Sequence, residues 1–369
     1  MKVCVVSPVH TSNDVRVFHK VCKTLVKNEY EVVLYCRDKK NTVKDGVAIK
    51  SVPTLRRLFR FFYIPILFIR ILREKAHCYH FNNPDALPLA ILMKKMGFRV
   101  VYDTHEDFRK RILQREWIPI KFRKIISNMV FSLEKKLANI ADGFFVTQEE
   151  LTNIYDNAIL LRNAPIIDQN FIDTVSTKSR YIVRQKPMAI YVGHSLTPAR
   201  GVEQMINAIE IVNKEKEVGL WLIGKIERNY LEKISKLPGY KYVEHLSYMD
   251  YVDAMAYVKN ADAGLVTILD VGDHKNSSAN KLYEYMLFKT PFIASDFDKW
   301  KNEIGDLNAG IFVDPSSVND IASAIKRIVG KETAKKNMGE IGQEYIMKEF
   351  NWNKEAKKLV NLYQRICNE

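Results

Sequence analysis

The sequence predicts an α/β protein of two domains in tandem, each built on a parallel sheet. Three observations point there. The chain has 369 residues, which at roughly 100–200 residues per domain fits two. Short apolar runs alternate with longer segments of helical period, and the alternation restarts after Lys178. The runs are continuously apolar rather than one-in-two, as expected of strands covered by helices on both faces. Hydrophobic residues make up 47% and charged residues 27%, which excludes a disordered, collagenous or coiled-coil chain.

In order, the first series of strands is read at Lys2–Ser7, Glu31–Cys36, Cys78–Phe81, Arg99–Asp103, Gly143–Thr147 and Ile159–Arg162. The second is read at Met188–Gly193, Leu220–Gly224, Lys241–Glu244, Ala263–Ile268, Pro291–Ser295 and Gly310–Val313. Two such series predict two Rossmann-like domains. The boundary is placed in the polar stretch Asp168–Lys186, and the last segment, Asn351–Cys367, is helix-periodic with Trp352, Leu359, Leu362 and Tyr363.

Charge is uneven. Residues 1–180 hold 31 Lys/Arg against 18 Asp/Glu, while residues 181–369 hold 26 against 25. A basic first half suits nucleic acid, anionic lipid or phosphorylated ligands. No helix-turn-helix, RNP-like or zinc-finger pattern supports nucleic acid, so none is expected as a partner. Cys4, Cys22, Cys36, Cys78 and Cys367 are scattered, with no C-x-x-C pair; this reads as reduced, buried thiols in a cytoplasmic protein. MKVCVVSPVH reads as a first strand rather than a signal peptide. The longest uncharged apolar stretch, Phe61–Ile69, is far short of the ~20 residues that span a bilayer.

Several signals are missing. Neither first strand is followed by G-x-G-x-x-G, and there is no P-loop, G-x-S-x-G or H-E-x-x-H. Usual NAD binding, P-loop nucleotide hydrolysis, hydrolase-elbow chemistry and zincin chemistry are therefore not expected. Four segments remain, each where a parallel strand ends and ligands of open α/β sheets collect. In Tyr191–Gly201 a strand ends at Gly193, His194 and Ser195 follow, and Arg200-Gly201 opens a helix; backbone N–H groups and a forked cation there suit phosphate. In Asn276–Ser295 a polar loop enters a helix carrying Glu284, placed to accept hydrogen bonds from hydroxyls. Tyr102–Asp107 crowds His105, Glu106 and Asp107 at one strand end, where protons or hydroxyls could be handled. Val9–Arg16 is a polar loop entering a helix, with His10, Asp14 and Arg16. Taken singly, each also reads as an ordinary strand–turn–helix connection with surface polar residues.

Together the four segments, with His-Phe-Asn-Asn-Pro-Asp85 between them, resemble the retaining glycosyltransferases of family four, in particular the bacterial surface-polysaccharide subgroup. The resemblance runs nearly the whole chain. It implies the GT-B fold: α/β, two Rossmann-like domains with parallel sheets facing across a cleft, and a C-terminal helix crossing back to the N-terminal domain. The domains are then 1–168 with 351–369 on the acceptor side, and 169–350 on the nucleotide-sugar side. Carried over, the resemblance places Gly193, His194, Ser195, Arg200, Gly201, Asn276, Asn280, Lys281, Leu282 and Glu284 at the donor. His105 matches a residue near the transferred sugar, and His10, Asp14, Arg16, Glu106 and Asp107 lie on the acceptor side. His105, Arg200 and Glu284 are the catalytic candidates. Three positions differ from the pattern: Asn276 stands where the first Glu of E-x7-E is expected, His194 where many members carry Arg, and Val9-His10-Thr11 where many carry Gly-Gly.

The implied activity is metal-independent, anomer-retaining transfer from a nucleoside-diphosphate sugar (UDP or GDP type) to a lipid-linked or glycan acceptor, with no cofactor and no metal. Charge developing on the leaving diphosphate is met by Arg200 and helix N-termini. A catalytically weak binding subunit, suggested by Asn276 and His194, and a GT-B sugar-nucleotide epimerase stay open as alternatives. Finally, Leu55–Lys75 places Arg56, Arg60 and Arg70 within about 80° on a helical wheel, opposite Leu58, Phe61, Phe62, Phe68, Ile69 and Leu72. Pro65 is expected to kink or restart that helix. With Lys121–Lys124 and Lys135-Lys136 it suits an anionic membrane surface on the inner face of the plasma membrane. A helix packed on the sheet with an Arg-rich solvent face is the other reading.

Overall fold

The computed structural model describes every residue except 56–59, 106, 114, 116, 273, 278–279 and 369, and only the backbone at 61, 367 and 368. Two compact units result, one of Met1–Asn163 with Trp352–Glu369, the other of Ala164–Asn351. The division falls five residues before the expected one. Ala164 is buried in the second unit's core, and Ile167 and Phe171 pack against it; these apolar side chains pull the polar-looking linker into that unit.

The first unit holds strands β1 (Lys2–Thr11), β2 (Glu31–Arg37), β3 (Thr42–Lys44), β4 (Val47–Val52), β5 (Cys78–Phe81), β6 (Val100–Thr104), β7 (Gly143–Val146) and β8 (Ala158–Leu160). Their order is β3-β4-β2-β1-β5-β6-β7-β8. All pairs are parallel except β3 with β4. The strands fall near where the apolar runs predicted them, with two kinds of difference. β1 runs on through Val9, His10 and Thr11 in place of the expected loop, and in the second unit the strand from Met188 runs on past Gly193; β3 and β4 were not anticipated. They form a hairpin whose turn residues Asp45 and Gly46 both have positive φ, 49° and 79°, the mirror-image turn that Asp-Gly favours.

Alternate residues sort the two faces of this sheet. Cys4, Val6, Val33, Tyr35, Tyr79, Phe81, Tyr102 and Phe144 share one core with helices Arg60–Leu72, Leu87–Lys95 and Ile120–Ile140. The opposite face carries His80 and Asp103 and is covered by two helical segments. One is π-helical from Val15 to Cys22 and runs on as α-helix Lys23–Lys27. The other is the C-terminal helix Trp352–Asn368. Trp352 Nε1 donates to Thr24 Oγ1 at 2.8 Å, and Glu355 accepts from the Arg162 backbone N–H at 2.9 Å. The last helix therefore belongs to the first unit, as the resemblance implied. Cys4, Cys22, Cys36 and Cys78 are buried thiols outside any disulfide among the described residues; burial pushes the Cys36 thiol up to about 12.

The second unit holds β9 (Met188–Leu196), β10 (Gly219–Ile226), β11 (Val243–His245), β12 (Ala263–Val266), β13 (Phe292–Ser295) and β14 (Gly310–Val313), in the order β11-β10-β9-β12-β13-β14, all parallel. Helices Tyr251–Asn260 and Asn280–Leu287 pack on one face, Val202–Asn213 and Val318–Gly330 on the other.

Helix Arg60–Leu72 runs through Pro65 as one element. Its polarity differs from the expectation. Arg60 pairs with Asp85 at 3.1 Å. Arg70 hydrogen-bonds Tyr63 and donates to the Ser51 carbonyl at 3.0 Å. Both cations are used inside the unit, because long Arg side chains fold back onto nearby acceptors. Phe62, Ile66 and Ile69 are what face solvent. Arg56 and Leu58 lie outside the described residues. Among those described, no helix is long and apolar enough to cross a membrane.

Candidate functional site

In the first unit, polar residues gather at the carboxyl ends of four neighbouring strands: β1, β5, β6 and β7. Ser7 Oγ lies 2.8 Å from His10 Nδ1, and Asn83 Nδ2 reaches Ser7 Oγ at 3.3 Å. The rings of His10 and His105 meet edge to face with centroids 5.5 Å apart. Burial holds His105 down to about 4, so it is a neutral imidazole at pH 7. Neither ring nitrogen has a hydrogen-bond partner among the described residues; Asp103 Oδ2 is 3.9 Å away. Unsatisfied buried donors and acceptors call for a partner such as water, an ion or a ligand. The Asn82 side-chain oxygen and Arg16 Nη1 are likewise unpartnered.

The acceptor-side residues have unequal parts. Arg16 is buried and spent on the fold: Nε and Nη2 grip Asp103 at 3.0 and 2.8 Å, and Nη2 also donates to the Leu161 carbonyl. Only its Nη1 is left over. Asp14 caps its helix by accepting from the Val17 N–H at 2.8 Å and lies 3.9 Å from His10 Nε2. Asp107 accepts from the Lys110 N–H at 3.1 Å and starts helix Phe108–Leu113, so it too does local structural work. Glu106 lies outside the described residues. Asp103 and His80 were not singled out from the sequence. Asp103 anchors Arg16, and His80 bonds Tyr363 Oη at 2.7 Å through Nδ1 and approaches Asn82 through Nε2. A charged residue and a His inside otherwise apolar strands were the available signal.

In the second unit, β9 continues past Gly193, so His194 and Ser195 are strand residues and exposed. Opposite them Gly224 takes φ +147°, and a Cβ there would sit 2.2 Å from the Gly193 carbonyl. Pro198–Arg200 forms one tight turn and Gly201, at φ +74°, caps helix Val202–Asn213. Gly201 presses on the end of β12: an added Cβ would lie 2.0 Å from the Thr267 oxygen. Arg200 and Lys281 are both half-buried. They are near enough that burial and Arg200 together push the Lys281 ammonium below its ordinary value. Neither forms a close ion pair among the described residues, though the Glu284 carboxylate acts on Lys281 in the opposite sense. Lys281 Nζ lies 5.9 Å over the Tyr191 ring, whose hydroxyl, like that of Thr267, is buried without a partner.

Asn280, Lys281 and Leu282 form the first turn of helix Asn280–Leu287, and Glu284 follows one turn on. Tyr251 Oη donates to Glu284 Oε1 at 3.0 Å, a contact no motif announced. Asn276 closes a short turn, its carbonyl accepting from Lys299 Nζ at 3.1 Å. Two cations, with Glu284 as the carboxylate that acts on Lys281, stand beside two helix starts and hydroxyls unpartnered among the described residues, an arrangement suited to an anion. Among the described residues no three His, Cys, Asp or Glu side chains gather as a metal site would require.

Both units resemble known proteins. The family "Glycosyltransferase Family 4" matches residues 15–166, and "Glycosyl transferases group 1" matches residues 186–331. Each unit thus matches a glycosyltransferase family model over most of its length. An uncharacterized glycosyltransferase of Methanocaldococcus jannaschii is 24% identical over 246 residues, 66% of this chain and 59% of the relative's length. Sucrose-phosphate synthase from Thermosynechococcus elongatus superposes with a TM-score of 0.74 at 16% identity, covering 100% and 99% of the two chains. Anabaena HepE in complex with UDP-glucose gives 0.70 at 12%, covering 99% and 100%. These neighbours show that the pair of parallel-sheet units has the GT-B fold.

Proposed function

We propose that this glycosyltransferase moves a sugar, with retention of anomeric configuration, from a nucleoside-diphosphate donor bound by the second unit to a lipid-linked glycan acceptor bound by the first. The carrying observation is the pair Arg200 and Lys281, two half-buried cations in no close ion pair among the described residues, whose mutual repulsion Glu284 offsets only in part at Lys281, set at the starts of two helices. A diphosphate supplies the missing negative charge. As it leaves, the charge growing on it is met by groups already in place, which leaves no task that needs a metal. Glu284 holds donor hydroxyls. His105, neutral and unpartnered, offers a hydrogen-bond donor and acceptor to the sugar. A neighbour solved with UDP-glucose supports a nucleotide-sugar donor. The lipid-linked acceptor and a part in surface-polysaccharide assembly at the inner face of the plasma membrane rest on the family resemblance and the basic first half.

A thermal-shift panel of UDP, GDP, ADP, CMP and NAD on wild type and Glu284→Ala tests the donor side. One nucleoside diphosphate is expected to raise the melting temperature of the wild type and to do so less for the variant. If none stabilises either protein, the donor assignment fails. Asn276, in the place of a donor-contacting Glu, favours a second reading: a binding subunit with weak catalysis. Turnover of the stabilising nucleotide's sugar conjugates decides between the two.

A further inference from the structure

The first unit carries an exposed apolar surface. Helices Arg60–Leu72, Leu87–Lys95 and Ile120–Ile140 lie in one layer, since all three contribute to the core on one face of the sheet. Among the described residues, eleven of the fourteen exposed large apolar side chains of this unit lie on this layer or the turns that join it. They form stripes. Phe62, Ile66 and Ile69 follow helical spacing on the first helix, and Phe122, Ile125 and Met129 do so on the last; Phe62 is 78% exposed and Ile125 62%. Neither stripe is amphipathic by accident of packing, because each helix already buries a separate apolar face: Leu67 and Ile71 on one, Val130 and Leu137 on the other.

Charge selects the partner. Residues 60–140 contain 16 Lys/Arg against 7 Asp/Glu. Of the acids, Asp103 and Glu134 are buried, and Asp85, Glu74 and Asp107 are paired with Arg60, Lys2 and Lys110. The exposed Lys121 and Lys124 flank Phe122 and Ile125, and exposed Lys136 lies two turns beyond Met129 on the same stripe. Apolar side chains ringed by cations suit an anionic bilayer interface, where the rings and methyls enter the acyl boundary and the ammonium groups meet phosphate. A second copy of the same face would bring like charges together.

We infer that this helical layer, and above all the Phe122–Ile125–Met129 stripe of helix Ile120–Ile140, is a docking surface for an anionic lipid bilayer. The inference deepens the proposed lipid-linked acceptor and gives it a route to the first unit, but it shifts the membrane contact away from the arginines of Leu55–Lys75. Flotation of the full chain with vesicles of phosphatidylglycerol and phosphatidylcholine, against phosphatidylcholine alone, tests it. Wild type is expected to bind only the anionic vesicles, less at high salt. Phe122→Ser/Ile125→Ser is expected to bind them about tenfold or more weakly, with an unchanged melting temperature because both side chains are exposed. Absence of wild-type binding, or equal binding by the double variant, overturns the proposal. So does a dimer in sedimentation that the same variant dissolves while vesicles are ignored. Vesicle binding by an enzyme that glycosylates only a water-soluble acceptor would leave the docking surface standing and remove the lipid-linked acceptor. Transfer to a lipid-linked acceptor in detergent without vesicle binding would do the reverse.

Discussion

Arg200 and Lys281 matter for what they lack. A half-buried cation beside another is held at a cost that an ordinary surface ion pair would relieve, and the Glu284 carboxylate offsets it only in part at Lys281. The depressed Lys281 pKa, caused first by burial and then by Arg200, records that cost. A diphosphate removes it and forms charge-assisted hydrogen bonds worth roughly 1.5–3 kcal/mol each. Arg200→Ala and Lys281→Ala are therefore each expected to raise the dissociation constant of the stabilising nucleoside diphosphate by about tenfold to a hundredfold. Isothermal calorimetry reads this directly, and wild-type affinity in both variants would remove these residues from the donor site. Arg16 is the contrast. Its charge is satisfied by Asp103 at 2.8 Å, so removing either partner leaves a buried charge and is expected to cost stability before it costs binding. Both arginines stood at strand ends in the sequence, and spacing alone could not tell the committed one from the open one. Burial and partners separate them.

At the scale of elements, what the sequence made legible follows from physics that acts locally. Strands β1, β2, β5 to β7, β9, β10 and β12 to β14 contain runs that must be apolar because helices cover them, so the pattern survives in one dimension. The β3–β4 hairpin was missed because its strands are short and half exposed, although Asp45-Gly46 carried the turn signal. The extension of β9 through His194 and Ser195 was missed because polar exposed residues give no strand period. The turn after it shows how a connecting element sets a site. Gly201 needs positive φ and sits where a Cβ would meet the Thr267 oxygen at 2.0 Å. Gly272 also has positive φ, 67°, but nothing lies within 4 Å of its Cβ position. Gly272→Ala is expected to cost about 1 kcal/mol, the left-handed conformation alone. Gly201→Ala adds a backbone collision and is expected to cost several times that, and to weaken nucleotide binding by shifting Arg200. Equal melting temperatures for the two variants would mean that the contact with β12 does not position the turn.

For the whole molecule, buried titratable groups give the two units different responses to acid. In the first, burial holds His80 and His105 down to about 4. A depressed histidine stabilises the fold above its ordinary value near 6.5, and that stability is lost as pH falls toward 4, roughly 3 kcal/mol for each group. Glu134 in the same unit acts with the opposite sign. It is buried, accepts hydrogen bonds from Tyr102, Thr104 and Tyr155 at 3.4, 3.2 and 2.9 Å, and burial pushes it up to about 7. Its contribution is complete below 4.5 and is lost as pH rises through 7, again roughly 3 kcal/mol. One carboxyl thus offsets about one of the two imidazoles between pH 7 and 4.5. In the second unit the buried Asp262, gripped by Arg184 and by Lys335, is held below its ordinary value, so its stabilisation persists until pH falls below 3.8. Acid titration of the full chain, followed by denaturant melts, is expected to show the first unit unfolding before the second. In Glu134→Gln the offset disappears, and the first transition is expected to fall more steeply between pH 7 and 4.5 than in wild type. Parallel pH curves for wild type and variant would show that Glu134 is ionised throughout, and a second unit that unfolds first would show that the imidazoles do not govern acid stability.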